Sequence, residues 1–174
     1  MKVDSVARRA GIDKRTLYDY VSSKEDLLLL VFAYYLPSML EKVRRARDSA
    51  QDPKEQLASM LRVHSELLSA NPHFVLFHYR ELRHLPSDDQ AAVYSLINDI
   101  HYEYERVFVI LADREQLPTS DPVLNASSAL TMLDMIGLHR FHLKTHSASD
   151  IANHIVRVLL GSHVTISTNA PQAD

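Results

Sequence analysis

Lys14, Arg15, Thr16 and Asp19 bring two cations, a hydroxyl and a carboxylate into little more than one helical turn. Such a set can read base edges in a DNA groove. An arginine donates its fork to guanine, and a carboxylate accepts from the cytosine amine. Arg15 and Asp19 are the expected readers. Elsewhere the available chemistry is that of imidazole. His139, His142 and His146 stand at i, i+3 and i+7, on one face if a helix persists that far, and that spacing can hold zinc. No nearby carboxylate supports a metal, so a polar helix end or a histidine-lined interface is expected, with no metal and no cofactor. His64 and His101 interrupt apolar stripes, either as satisfied core histidines or as polar anchors in a ligand pocket. A small helical enzyme working through histidines is one reading. Against it, no nucleophile–base pair, phosphate loop or well-spaced carboxylate pair is found. Cysteine is absent, which removes disulfides, thiolate metal sites and cysteine nucleophiles. The expectation is a protein that is not an enzyme.

The elements that must position these residues are clearly punctuated. Gly11 ends a short helix expected over 2–10, and Asp13 can cap a second over 14–21. Two helices crossing at a fixed angle need small residues at the crossing, a residue tolerant of positive φ in the turn, and an apolar wedge. Ala7 and Ala10, then Gly11, then Val6, Ile12, Leu17 and Tyr20 meet these demands. This is the pattern of a helix-turn-helix, with 14–20 as the helix that enters the major groove.

Further along, Ser23 with Asp26 forms a capping box for a helix over 24–48, which Pro37 should kink. Asp52-Pro53 and Asn71-Pro72 each open a helix, the second running from 72 to about 83. Leu85-Pro86 breaks the chain, and Ser87 with Gln90 is expected to cap a helix to about 114. A loop follows over 117–121. Asp121-Pro122 starts a helix to about 142, and Ser147 with Asp150 caps the last, which ends near Gly161. The polar segment 162–174 is expected to be disordered. With 3 glycines and no sustained alternation of apolar and polar residues, the chain reads as all-α.

Apolar residues make up 46% of the 174, enough to form a core plus a small appended module. Aromatic residues gather at Phe74, Phe77, Tyr79, Tyr94, Tyr102, Tyr104 and Phe108. With Met60 and Met135 they form either plain core or the lining of an apolar cavity between helices. His78, Arg80, Glu81, Arg83 and His84 flank this cluster as a solvated face or as a basic rim suited to an anionic head group. The stripe Ile151, Ile155, Val158, Leu159 and the set Leu130, Leu133, Gly137 mark two amphipathic helices able to cover their own core.

Net charge is −3, but it is unevenly spread: the first 24 residues carry +3 and the remainder −6. A basic head on an acidic body suits local phosphate binding. No apolar run is long enough to span a membrane and no signal peptide is evident. A cytoplasmic protein with no membrane partner is expected.

The run from Val6 to Leu27, VARRAGIDKRTLYDYVSSKEDL, resembles the signature of the TetR family of transcriptional regulators. Val21 stands where that family usually has Phe, and Asp13 where it usually has Ser. Each keeps the physical role, an apolar core side chain and a helix cap. The resemblance implies a TetR-like fold: a helix-turn-helix over 1–23, a ligand-binding and dimerisation bundle over 24–161, and a tail over 162–174. It implies DNA contacts from Lys14, Arg15, Thr16 and Asp19 and phosphate contacts from Tyr18 and Lys24. It favours a pocket involving Met60, His64, Phe77, Tyr94, Ile97, His101, Tyr104 and Met135. It also implies homodimerisation through 123–142 and 151–160 as a four-helix bundle, and a palindromic double-stranded operator. The stretch 130–161 looks most like the terminal helix pair of regulators tied to lipid and acyl-CoA catabolism. The expected function is a repressor released by an apolar small molecule of that kind. The alternative is a regulator-derived small-molecule-binding dimer without DNA affinity. In the family a further helix precedes the position of Lys2. The resemblance therefore also implies either a natural start some 20–30 residues upstream or weak DNA binding by this form.

Overall fold

A computed structural model of the chain describes Arg8, Gly11 and residues 13–114, 117 and 121–161, with backbone only for Lys14 and Leu17. Residues 118–120 of the expected loop, the tail over 162–174, and all of the 2–10 helix and the wedge around Gly11 except Arg8, Gly11, the Leu17 backbone and Tyr20 lie outside the described residues. No strand occurs among the described residues. Gly11 takes φ +71°, and its N–H donates to the Arg8 carbonyl at 3.2 Å. Only glycine adopts that backbone without steric cost.

Helix α1 spans Lys14–Tyr20. Asp13 caps it, accepting from the Thr16 N–H at 2.8 Å and the Thr16 hydroxyl at 3.1 Å. Helix α2, Lys24–Asp48, starts on the expected capping box. The Asp26 N–H donates to Ser23 Oγ, while the Ser23 N–H donates back to Asp26 Oδ2. Pro37 lies within α2 on its exposed side, and the helix continues through it. Helix α3, Pro53–Ala70, is capped by Asp52. Helix α4, His73–Glu81, continues as a 3₁₀ turn over Leu82–His84.

Helix α5 spans Ser87–Asp113. Pro86, not Ser87, sits at its cap position, and Ser87 makes no capping bond. Gln90 instead turns back to donate to the Leu85 carbonyl at 2.8 Å, securing the break that Leu85-Pro86 creates. Helix α6, Pro122–Leu138, opens on Asp121. It stops short of the expected 142, because His139 leaves the helical region at φ −113°, ψ 25°. A separate turn, α7 (Arg140–Leu143), follows. His139, His142 and His146 therefore do not share one helical face. Helix α8, Ala148–Leu160, runs from the Ser147–Asp150 capping box to Gly161 at φ +62°.

Helix α3 is the axis of the larger bundle, packed by α2, α5, α6 and α8. Its stripe Leu57, Met60, Leu61, His64 and Leu68 is buried, with Leu67 at the margin. Phe32 from α2, Tyr104, Phe108 and Leu111 from α5, Leu133 from α6 and Ile155 from α8 complete the core. Each such side chain contributes roughly 1.5–3 kcal/mol by leaving water.

Two contacts fix how the helices meet. Glu103 on α5 is 2% exposed and is held by Arg44 Nε at 2.6 Å and by the Arg47 guanidinium, both from α2. A carboxylate so buried is tolerable only with such partners. Gly137 on α6 lies hard against α4. A Cβ there would stand 2.5 Å from the Val75 Cβ and 2.8 Å from the Pro72 carbonyl oxygen. The missing side chain lets the two helices approach closely.

Candidate functional site

Between α2, α3, α4, α5 and α6 lies a cavity of about 280 Å³. Leu36 and Met39 enter from α2, and His64 and Leu68 from α3. Helix α4 contributes Phe74, Val75, His78 and Tyr79, and α5 contributes Ile97, Ile100 and His101. Ser127, Leu130, Thr131 and Asp134 come from α6. The inner end is apolar except for His64. That ring is buried, its Nδ1 lies 3.2 Å from the buried Tyr104 hydroxyl, and burial lowers its pKa to about 4. It is thus neutral near pH 7. The outer end is polar. His101 Nε2 lies 2.9 Å from the Ser127 hydroxyl, and Thr131 donates to the Ser127 carbonyl. The Tyr79 hydroxyl donates to Asp134 Oδ2 at 2.6 Å. Burial raises the Asp134 pKa, against the opposing pull of that hydrogen bond and of His78. Accepting from Tyr79 in turn pushes the tyrosine up to about 12.

Three of the eight residues expected at a pocket, His64, Ile97 and His101, line this cavity. Met60 is wholly buried in the core, Tyr104 stands behind His64, and Phe77 packs on Phe32 with ring centroids 5.1 Å apart. Tyr94 is half exposed. Met135 faces a different space, about 450 Å³, along α6 and α8. The exposed His146, Asp150, His154 and Arg157 line that space, which shares no lining residue with the α2–α6 cavity. Sequence reasoning passed over Ser127, Thr131 and Asp134. Their signal was present: at i, i+4 and i+7 they form a polar stripe along a largely apolar helix.

At the other end of the molecule, Arg15, Tyr18 and Asp19 are exposed on α1, while Thr16 is half-buried and engaged with Asp13. The Lys14 side chain lies outside the described residues. Lys24, in the first turn of α2, is half-buried, and its ammonium lies 3.3 Å from Glu81 Oε2 at the end of α4. The Glu81 pKa is lowered: partial burial raises it, but the Lys24 hydrogen bond and charge outweigh that effect. One short helix therefore lines the cavity along its length and grips the start of α2 at its end.

Among the described residues, no group of three or more His, Asp or Glu side chains could hold a metal ion. No helix there is long and apolar enough to cross a membrane. Residues 1–31 match the family of bacterial regulatory proteins named for tetR, and residues 50–162 match the tetracyclin repressor-like C-terminal domain. The chain belongs to the TetR family. One relative is the fatty acid metabolism regulator protein of Bacillus subtilis (strain 168), 28% identical over 82 residues. That stretch covers 47% of this chain and 42% of the relative, so the match spans less than half of either protein.

Solved TetR-type structures share the fold over nearly the whole chain. PfmR of Thermus thermophilus matches with a TM-score of 0.80 at 19% identity, covering 94% of this chain and 89% of its own. AibR, solved with isovaleryl coenzyme A and operator DNA, gives 0.78 at 21% identity over 92% and 87%. FadR of Bacillus subtilis, solved with stearoyl-CoA, gives 0.75 at 18% over 94% and 89%. At these identities the likeness establishes the TetR fold, an all-α arrangement of N-terminal helices and a C-terminal bundle.

Proposed function

We propose that this protein is a homodimeric transcriptional repressor that acts in the cytoplasm and releases its operator when a small, largely apolar molecule enters the α2–α6 cavity. The observation that carries this reading is the path of α4. The helix presents Phe74, Val75, His78 and Tyr79 to the cavity and ends at Glu81, which holds Lys24 beside α1. A ligand that moves α4 changes the charge balance at Lys24. Coupling between two sites requires such an element, biased by both. Lys24 then exchanges between Glu81 and a DNA phosphate, while Lys14, Arg15, Thr16, Tyr18 and Asp19 meet the operator from α1. The acyl-CoA complexes of the structural neighbours support a lipid-like or acyl-CoA ligand. Exposed Leu124 and Leu138 on α6 and Val158 on α8 offer an apolar face to a second copy. A two-fold dimer places its recognition helices in half-sites about 34 Å apart, hence a palindromic operator.

The test is selection of duplexes from a random library, followed by affinity measurements at fixed salt. Arg15→Ala is expected to cost about 1–3 kcal/mol at the selected site and to relax its sequence there. Lys24→Ala weakens binding to all sequences and flattens the salt dependence by about one counterion. Glu81→Gln, which withdraws the competing acid, tightens binding. Failure of the protein to enrich any sequence would leave it a binding protein without DNA affinity.

A further inference from the structure

The cavity walls carry no lysine or arginine, and their one carboxylate is Asp134. Most of the polar groups around it are already paired: His64 with Tyr104, His101 with Ser127, Thr131 with the Ser127 carbonyl, and Tyr79 with Asp134 Oδ2. Asp134 Oδ1 accepts no hydrogen bond among the described residues, and the aspartate is half-buried at the end where Tyr79 and Thr131 reach solvent. The nearest group able to carry positive charge is His78, whose pKa burial lowers against the pull of Asp134, so an ionised acid brought to this end meets a like charge with little to offset it. A group that brings a proton meets an acceptor already held in place.

We propose that the cavity selects an apolar molecule whose polar end is a hydrogen-bond donor without negative charge, an ammonium or a hydroxyl, seated on Asp134. This rests on the reading of the cavity as the ligand site and names the chemistry that site prefers. A free carboxylate is disfavoured there, and among lipid-like ligands this favours an amine or an alcohol over an acyl-CoA, whose anionic head group has to lie outside the cavity. The size of the space limits the body of the ligand. An apolar void of about 150 Å³ takes benzene, so about 280 Å³ accommodates on the order of ten heavy atoms. The same bond connects ligand to response. A donor seated on Oδ1 draws the carboxylate's charge toward itself and weakens the bond that Oδ2 accepts from the Tyr79 hydroxyl, and Tyr79 is two residues from Glu81 on α4.

Octylamine, octan-1-ol and octanoate share one chain and differ only in the head, so they separate the alternatives. Titration calorimetry at pH 7 into the full chain is expected to show octylamine and octan-1-ol binding at least fivefold more tightly than octanoate. Asp134→Asn removes the preference for the amine. Tyr79→Phe, which withdraws the competing donor, strengthens octylamine binding twofold or more. It also serves as the independent arm if the Asp134 variant does not fold. Octanoate binding as tightly as the other two, an unchanged order in Asp134→Asn, or octylamine unaffected by Tyr79→Phe would overturn the inference and leave the cavity as a ligand site. If none of the three binds, the inference and the cavity reading fall together.

Discussion

His64 illustrates how a residue's type and its surroundings divide the argument. Its place in an apolar stripe left two readings open, core histidine or pocket anchor, and the structure gives it both surroundings. The ring is buried against Tyr104 and also lines the cavity. Burial lowers its pKa from 6.5 to about 4. Because the folded value is depressed, the unfolded chain binds a proton at this residue below about pH 6.5 that the folded chain does not accept until near pH 4. Stability from this residue is therefore full above pH 6.5 and declines as pH falls through that window. From pH 7.5 to 5 the expected loss is about 2 kcal/mol. Urea denaturation at both pH values reads it, with His64→Gln as the non-titrating reference. Parallel pH dependence in the two proteins would show that His64 is not buried in its neutral form. Arg15 and Asp19 are simpler. Their exposure is what base-reading side chains require, and their types were legible in the sequence.

At the scale of elements, the helix starts were readable because a cap is made within four residues of chain. Asp13, Ser23, Asp52, Asp121 and Ser147 all accept backbone N–H groups at the expected starts. The stops were less readable. Nothing local fixes His139 as the end of α6, since Gly137, the weak helix former nearby, lies inside the helix and does not end it. Gly137 carried a signal of another kind, a small residue where α4 crosses α6. Gly137→Ala raises intrinsic helix propensity by up to about 1 kcal/mol, yet it drives a Cβ against the Pro72 carbonyl and Val75. Overpacking of this kind costs about 1–3 kcal/mol, and a backbone carbonyl cannot swing aside as a side chain can. The expected result is a lower melting temperature, by about 2–4 °C per kcal/mol of net loss in a chain of this size. A variant that melts higher than the wild type would show that α4 and α6 separate easily.

For the whole molecule, the apolar stripe of α8 divides between two tasks. Ile151, Ile155 and Leu159 are buried within the protomer, against α3 and α6, while Val158 is about half exposed. Substitutions that probe dimerisation must therefore fall on the outward face. Leu124→Glu with Val158→Glu is expected to give a folded monomer, with helical circular dichroism retained and the sedimentation coefficient reduced. Ile155→Glu, which buries a charge without a partner, should unfold the protomer itself. If the Leu124/Val158 double variant sediments as the wild-type dimer does, the subunits meet through another surface.

By itself the sequence determined the all-α class, the order of the helices and most of their caps. These depend on spacings of a few residues, where propensity, capping and periodicity act directly. Only the tertiary structure decided where the cavity lies, which of the expected pocket residues reach it, and that Asp134 is its carboxylate. It alone joined Lys24 to Glu81, 57 residues away, and Tyr79 to Asp134, 55 residues away. The physical reason is that a cavity and an ion pair across helices are set by rotation and tilt of packed cylinders. A turn of one helix by a single residue swings its buried face round by about 100°, and no local pattern encodes that angle.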